Sequence, residues 1–216
     1  MFAANGFQMH FTKTVDQFLN GFEDTVLDLG HLFPFIATEI PRFDKFGLLS
    51  IRNASETFDG IFNVANGLNG NFDVLSWNHQ NVTPYFNGTC AEVRGSTGEL
   101  YSQKITKDFV EIFMSDLCRS VRLDFEEEVV VHGITGFKYG LERHALDNGS
   151  LVPENSCYCA GDCIPSGLIN ISSCRYGIPF FVSLPHMYAA NPLYLDAIEG
   201  LHPDKSKHEA YVVIEP

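Results

Sequence analysis

Basic residues are scarce in this sequence. Its 216 residues include 14 Lys and Arg against 27 Asp and Glu, so the formal net charge is −13. Proteins that bind a nucleic-acid backbone need a basic surface that displaces counterions from the phosphates. The charge balance therefore predicts no nucleic-acid partner, and it also argues against docking onto anionic lipid through this surface alone.

Long apolar runs and a secretory leader are also missing. No stretch approaches the roughly 18 consecutive apolar residues that a membrane helix needs. Residues 1–6 have neither the basic start nor the apolar core of a signal peptide. Taken alone, these absences indicate a soluble cytosolic protein.

Common catalytic and cofactor-binding motifs are absent as well. There is no H-E-x-x-H pair, no G-x-S-x-G elbow, no P-loop and no G-x-G-x-x-G. His186 directly follows an apolar run, but a histidine at a strand end more often hydrogen-bonds the backbone than does chemistry. His208 and Glu209 are adjacent, which in a strand places them on opposite faces. We therefore expect no catalytic residue, no cofactor, no metal and no enzymatic activity.

The hydrophobic pattern predicts one clear helix, followed by strands. Apolar residues recur at helical spacing from Thr14 to Leu29, with Thr14 and Gln17 as a capping box and Gly30 as a stop. After the helix the period changes to two, and strand-like runs follow at 60–64, 121–125 and 211–214. Four Asn-Gly pairs beyond the predicted helix, at 66–67, 69–70, 87–88 and 148–149, supply the positive φ of tight turns. This pattern predicts an α+β, β-rich fold with an antiparallel, barrel-like core and a few attached helices.

Five sites fit the N-x-S/T pattern for N-linked glycosylation, more than chance pairing gives. The predicted acceptors are Asn53, Asn81, Asn87, Asn148 and Asn170. Asn81 is the weakest, because Pro84 follows its sequon. The number of sites indicates an extracellular or lumenal chain.

Cysteine placement supports the same compartment. Six cysteines fall within 85 positions: Cys90, Cys118, Cys157, Cys159, Cys163 and Cys174. An even, clustered set favours a disulfide framework, for which the sequence leaves 15 connectivities. The alternative is a zinc site at Cys157, Cys159 and Cys163, whose C-x-C-x-x-x-C spacing lacks paired C-x-x-C knuckles. Since the chain has no targeting segment of its own, we expect it to be part of a longer protein.

Several motifs occur in an order that resembles the class B scavenger receptor family. These receptors are double-pass membrane glycoproteins with a large ectodomain. The matching segments are 115–120 (SDLCRS), 133–139 (GITGFKY), 167–174 (GLINISSC), 183–186 (SLPH) and 198–203 (IEGLHP). Each motif is modest alone, but their number, their order and the six-cysteine spacing are specific.

The resemblance implies how the six cysteines pair and how the chain divides into regions. It implies disulfides between Cys90 and Cys157, Cys118 and Cys174, and Cys159 and Cys163. It also implies that residues 1–30 end the apical helical region. Residues 31–216 would form an incomplete, single β-rich ectodomain core without either membrane helix.

The family's function follows as an expectation. Such an ectodomain would bind lipids, lipoproteins or modified particles and pass apolar cargo through an internal cavity. It would lie on the extracellular side of the plasma membrane or, alternatively, on the lumenal side of the lysosomal membrane. Two other classes stay open: a secreted hydrolase with unrecognised catalytic residues, and an adhesion or structural ectodomain without a lipid cavity. No ligand-binding residue is assigned from the sequence.

Overall fold

The computed structural model describes residues 12–24, 45–50, 52, 58–159, 161, 163–175, 177 and 179–216. The chain divides into two compact units, Met1–Asp59 and Gly60–Pro216. The sequence instead places a boundary near residue 30. Phe22 and Phe46 exchange two backbone hydrogen bonds, which joins residues from both sides of that expected boundary within the first unit.

The first unit contains helix α1, Val15–Asn20. Its start is as predicted: the Thr14 hydroxyl accepts from the Gln17 backbone N–H, and the Gln17 side chain accepts from the Thr14 backbone N–H. The helix is shorter than predicted, because Gly21 has a φ of 111° and Phe22 is already extended. Residues 25–30 of the predicted helix and its stop lie outside the described residues.

The second unit is built on a four-stranded antiparallel sheet. Its strands are β3 (Phe109–Met114), β4 (Arg119–Val131), β5 (Ile134–Gly140) and β8 (Tyr211–Ile214), in the order β3-β4-β5-β8. The sheet is curled like half of a barrel. The predicted strands at 121–125 and 211–214 are confirmed as part of β4 and as β8.

Two features shape the long β4–β5 hairpin. Its turn is made by His132 and Gly133, whose φ values of 50° and 85° suit the two-residue turn that matches strand twist. This hairpin has no Asn-Gly pair, so the sequence pattern did not predict its turn. A bulge at Glu126 then shifts the register between Phe125 and Glu127. The shift places Glu126 beside the sheet rather than in its ladder.

Smaller elements cover the rest of the unit. Strands β1 (Phe62–Val64) and β2 (Val74–Trp77) form one pair, and β6 (Ile169–Asn170) and β7 (Phe181–Val182) form another. Helices α2 (Pro192–Ala197) and α3 (Lys205–His208) precede β8, and short 3₁₀ turns fill the connections. The β-rich, disulfide-tied α+β fold class is confirmed.

Candidate functional site

One face of the four-stranded sheet is apolar and only partly covered. We call it the apolar face. At its centre, Ile112, Leu123, Tyr139 and Ile214 are buried. Around them lie half-buried apolar side chains on the same face: Val110, Met114, Phe125, Phe137 and Val212. Strand alternation and register bring these residues together from four strands.

Aromatic contacts fix the middle of the apolar face. Phe125 contacts Phe137 and Tyr139 edge to face, with ring centroids 5.7 and 5.9 Å apart. Tyr139 is fully buried, and its hydroxyl donates to the Thr106 carbonyl at 2.7 Å. The aromatic groups are therefore held rigidly, although Phe125 and Phe137 keep part of their surface open.

The opposite face of the same sheet holds a buried cation. Lys138 lies 2.9 Å from the Glu126 carboxylate and 2.8 Å from that of Glu209. Lys205 contacts the same Glu126 side chain at 3.1 Å. A side chain at Gly140 would collide with the Glu126 carboxylate, so the glycine leaves room for the bulged residue.

The charges in this network stabilise one another. Burial alone would lower the pKa of Lys138, but Glu209 and Glu126 raise it well above its ordinary value. Burial alone would raise the pKa of Glu126, but its bonds from Lys138 and Lys205 bring the pKa below its usual range. Lys138 and Glu126 therefore both stay charged at neutral pH.

The structure contains three disulfides, and they join the loops beside the sheet. They link Cys90 to Cys157, Cys118 to Cys174, and Cys159 to Cys163. These are the pairs that the family resemblance implies. All six cysteines are bonded to each other, so none is free to hold zinc.

A buried arginine, which the sequence analysis did not single out, adjoins the disulfides. Arg119 is 3% exposed and its guanidinium stacks 3.3 Å from the centre of the Tyr158 ring. It donates to the Ala145 carbonyl at 3.2 Å, while its Nε has no partner among the described residues. Burial lowers the pKa of Arg119. The stack joins the β4 strand to the loop of the Cys90–Cys157 bridge.

A buried carboxylate organises the neighbouring loop. Asp147 is fully buried, and it accepts bonds from the Ser150 hydroxyl and from four backbone N–H groups, at Gly149, Ser150, Leu151 and Val152. Burial raises the pKa of Asp147, but these bonds lower it more and leave it below its usual range. The carboxylate therefore replaces the backbone pairing that this irregular loop lacks.

The predicted glycosylation sites differ in their exposure and in their hydrogen bonds. Asn81 and Asn87 are exposed, and Asn170 is half-buried with its Oδ1 accepting from the Ser172 N–H. Asn148 is 6% exposed, and its Nδ2 donates to the carbonyls of Ile164 and Leu168. A glycosylated Nδ2 keeps a single N–H and could not make both bonds at once, and glycosylation of Asn148 stays a prediction. Asn53 lies outside the described residues.

Two cavities beside the sheet have mixed linings. One of about 270 Å³ includes Glu126, Tyr188 and Glu209, and one of about 280 Å³ includes Arg94, Tyr101 and Glu111. Neither is an apolar tunnel. Across the part of the chain that the structure describes, no group of three or more His, Cys, Asp or Glu could hold a metal ion. The apolar face is therefore the strongest candidate for a binding surface.

Fold and site together define a class of protein: a disulfide-tied, β-rich α+β domain whose sheet has one partly exposed apolar face. The CD36 family model matches residues 1–216. The chain therefore belongs to the CD36 family, whose members are the class B scavenger receptors.

Relatives support the assignment. Protein peste of Drosophila melanogaster is 41% identical over 211 residues, covering 95% of this chain and 38% of that protein. Lysosome membrane protein 2 of Mus musculus is 35% identical, covering 94% and 42%. Scavenger receptor class B member 1 of Sus scrofa is 31% identical, covering 100% and 42%.

The chain spans about two fifths of the length of these relatives. Their names describe a membrane protein and a receptor. Within the described residues, no helix is long and apolar enough to cross a membrane.

Proposed function

We propose that this chain forms part of a receptor ectodomain that binds lipids or lipoproteins, and that its apolar face is one wall of the path for apolar cargo. The observation that carries the proposal is the ring of half-buried apolar side chains, Phe125 and Phe137 among them, around a buried centre. An acyl or sterol chain gains about 25 cal/mol for each Å² of apolar surface that leaves water. No covalent step is required.

Phe125 and Phe137 on the apolar face remain partly exposed, so this face offers apolar surface to a ligand. The family assignment supports a receptor, since one relative is named a scavenger receptor. The proposed setting is the extracellular side of the plasma membrane or the lumenal side of the lysosomal membrane. The proposed glycan acceptors among the described residues are Asn81, Asn87, Asn148 and Asn170.

A photoactivatable fatty acid tests the proposal without disturbing the fold. The full-length glycosylated protein is loaded with the probe, irradiated and mapped by mass spectrometry. We expect labelled positions on the apolar face, at β3, β5 and β8. Labelling that falls only on the opposite face, or no labelling beyond that of an unrelated glycoprotein, would overturn the proposal.

A matched pair of variants adds a functional measurement. Phe125→Gln alters the apolar face, whereas Phe109→Gln alters an exposed phenylalanine on the opposite face of the same sheet. We expect the first variant to lower uptake of labelled lipid by expressing cells and the second to leave it unchanged. Equal uptake by both variants at equal surface expression would contradict the proposal.

The hydrolase alternative receives less support from the structure. His186 accepts a backbone N–H bond through Nδ1 and stacks on the His208 ring. These contacts serve a structural role. Ester or glycoside turnover that is abolished by His186→Ala would favour a hydrolase and defeat the receptor proposal.

A further inference from the structure

Two histidines stack against each other beside the β8 strand. The His186 and His208 rings are nearly parallel, with centroids 4.5 Å apart and an interplanar angle of 17°. His186 lies in the 3₁₀ turn 185–187, and His208 is the last residue of α3. We call these two side chains the stacked histidine pair.

Each ring of the pair accepts a backbone hydrogen bond through Nδ1. His186 Nδ1 accepts from the His202 N–H at 3.2 Å, and His208 Nδ1 accepts from the Asp204 N–H at 2.9 Å. A ring nitrogen accepts a bond only while it carries no proton. The pair therefore holds segment 202–208 in place through the neutral form of both imidazoles.

The turn that carries His186 is strained. His186, Met187 and Ala189 have φ values of 53°, 54° and 61°, a region that residues with a side chain seldom occupy. Such a turn persists only when its surroundings hold it. The contacts of the His186 ring are part of that support, so their loss would let the turn relax.

From these contacts we propose that the stacked histidine pair is an acid-sensitive latch, which loosens segment 202–208 when both rings are protonated. Protonation of Nδ1 removes each accepted bond, and it leaves two cations face to face. The loosened segment leads directly into β8, one of the four strands of the apolar face. Acid would thus loosen one edge of that face. The latch is a property of the protein itself and is testable without any cargo.

The direction of the pH effect follows from the contacts. The closed latch needs both Nδ1 atoms unprotonated, so it binds fewer protons than the open segment. The closed latch is therefore favoured at neutral pH and weakened in acid. His186 is exposed and His208 half-buried, so protons reach both rings.

Several charged groups face the pair. Asp204 interacts electrostatically with His208, and it pairs with Lys207 at 3.3 Å. Ser206, followed by Lys207, holds the pKa of Asp204 below its usual range, so Asp204 stays ionised while histidines titrate. From neighbouring strands, Glu126 and Lys138 join Lys205 and Glu209 in the buried network. That network stays charged through the same pH range.

Hydrogen–deuterium exchange measures the latch directly. The full-length glycosylated protein is compared at pH 7.5 and pH 5.0, after correction for the intrinsic effect of pH on exchange. We expect exchange in peptides covering 202–208 to speed up about tenfold at pH 5.0, in line with proton linkage. Peptides from the β4–β5 hairpin should keep their protection.

Variants separate the latch from other causes of opening. His186→Asn and His208→Asn each keep a nearby acceptor oxygen but cannot titrate in this range, and asparagine tolerates the positive φ of position 186. We expect the double variant to remain protected at both pH values. His132→Gln, at the turn of the β4–β5 hairpin, is the control and should behave like the parent protein.

Two results would overturn the proposal. One is equal protection of 202–208 in the parent protein at pH 7.5 and pH 5.0. The other is an acid-induced opening that persists in the double asparagine variant. If the double variant fails to fold, each single variant is measured, and an undiminished acid response in both has the same meaning.

Discussion

The sheet and the loops beside it are held together in different ways. In the four-stranded sheet, backbone groups pair with each other along continuous registers, such as the six residue pairs between β3 and β4. Among the described residues of the disulfide-joined loops 86–91 and 143–175, strand pairing is limited to the two-residue strand β6. These loops are stabilised instead by disulfides, by the Asp147 carboxylate and by the stacking of Arg119 on Tyr158.

This difference explains where covalent bonds are found. Paired strands hydrogen-bond each other's backbone N–H and C=O groups, so the sheet needs only apolar packing and one buried ion network in addition. An irregular loop has fewer mutual partners, and its ordering entropy is offset by cross-links and by side chains that bond the backbone. We therefore expect the loops to depend on single side chains more than the sheet does.

Removal of a disulfide that closes a long loop, such as Cys118–Cys174, should have the largest effect. Its two ends are 56 residues apart, so the double change to alanine should lower the free energy of unfolding by about 4 kcal/mol on the chain-entropy model. Removal of Cys159–Cys163, with a separation of 4, should cost about 2 kcal/mol. Urea denaturation of the glycosylated ectodomain measures both. Equal losses would show that loop length does not govern these cross-links.

A change of Lys138 to Met tests whether the sheet also depends on one side chain. The variant leaves Glu126 and Glu209 without their shared buried cation, and we expect a loss of about 3 kcal/mol at pH 7. The depressed pKa of Glu126 means that its contribution is present at neutral pH and is lost in acid. The difference between variant and parent should therefore shrink toward pH 4. A loss that is independent of pH would show that packing, rather than charge, is responsible.

A change of Asp147 to Asn examines the loop counterpart of that network. Asparagine keeps the size but turns an amide group toward backbone N–H donors, and we expect a loss of about 2 kcal/mol at pH 7. Since the pKa of Asp147 is depressed, its stabilisation exists above the ordinary aspartate pKa and disappears as pH falls through the lower, folded value. Thermal melts from pH 7 to pH 3 should converge for parent and variant. Curves that stay parallel would contradict this role.

Local features of the fold were readable from the sequence, and non-local ones were not. The capping box of Thr14 and Gln17 and the strand at 211–214 depend on residues close in the chain. The bond between Lys138 and Glu209 joins residues 71 positions apart. No local pattern marks the bulge at Glu126, the other carboxylate that Lys138 contacts.

The exposure of the predicted site residues also depends on contacts that are distant in the sequence. The sequons at Asn87 and Asn148 both continue with glycine and a hydroxyl residue, yet only Asn87 is exposed. The Asn148 side chain is held inside by hydrogen bonds to the carbonyls of Ile164 and Leu168, which the tertiary fold brings close to it. The apolar face likewise depends on the register of four strands. Its residues could not be distinguished from core residues by alternation alone.

The smallest effect should come from an exposed ion pair on the sheet. Arg122 bonds Asp124 at 2.7 Å, and its side chain is 44% exposed. Exposed pairs contribute little because water screens them, so Arg122→Gln should cost about 0.5 kcal/mol, measured by urea denaturation. The pair lies on the same sheet as Lys138, so the two variants differ mainly in burial. If Arg122→Gln lowered the free energy of unfolding as much as Lys138→Met, burial would not explain the contribution of the Lys138 network. The contrast between a sheet stabilised by backbone pairing and loops stabilised by single side chains would then have no physical basis.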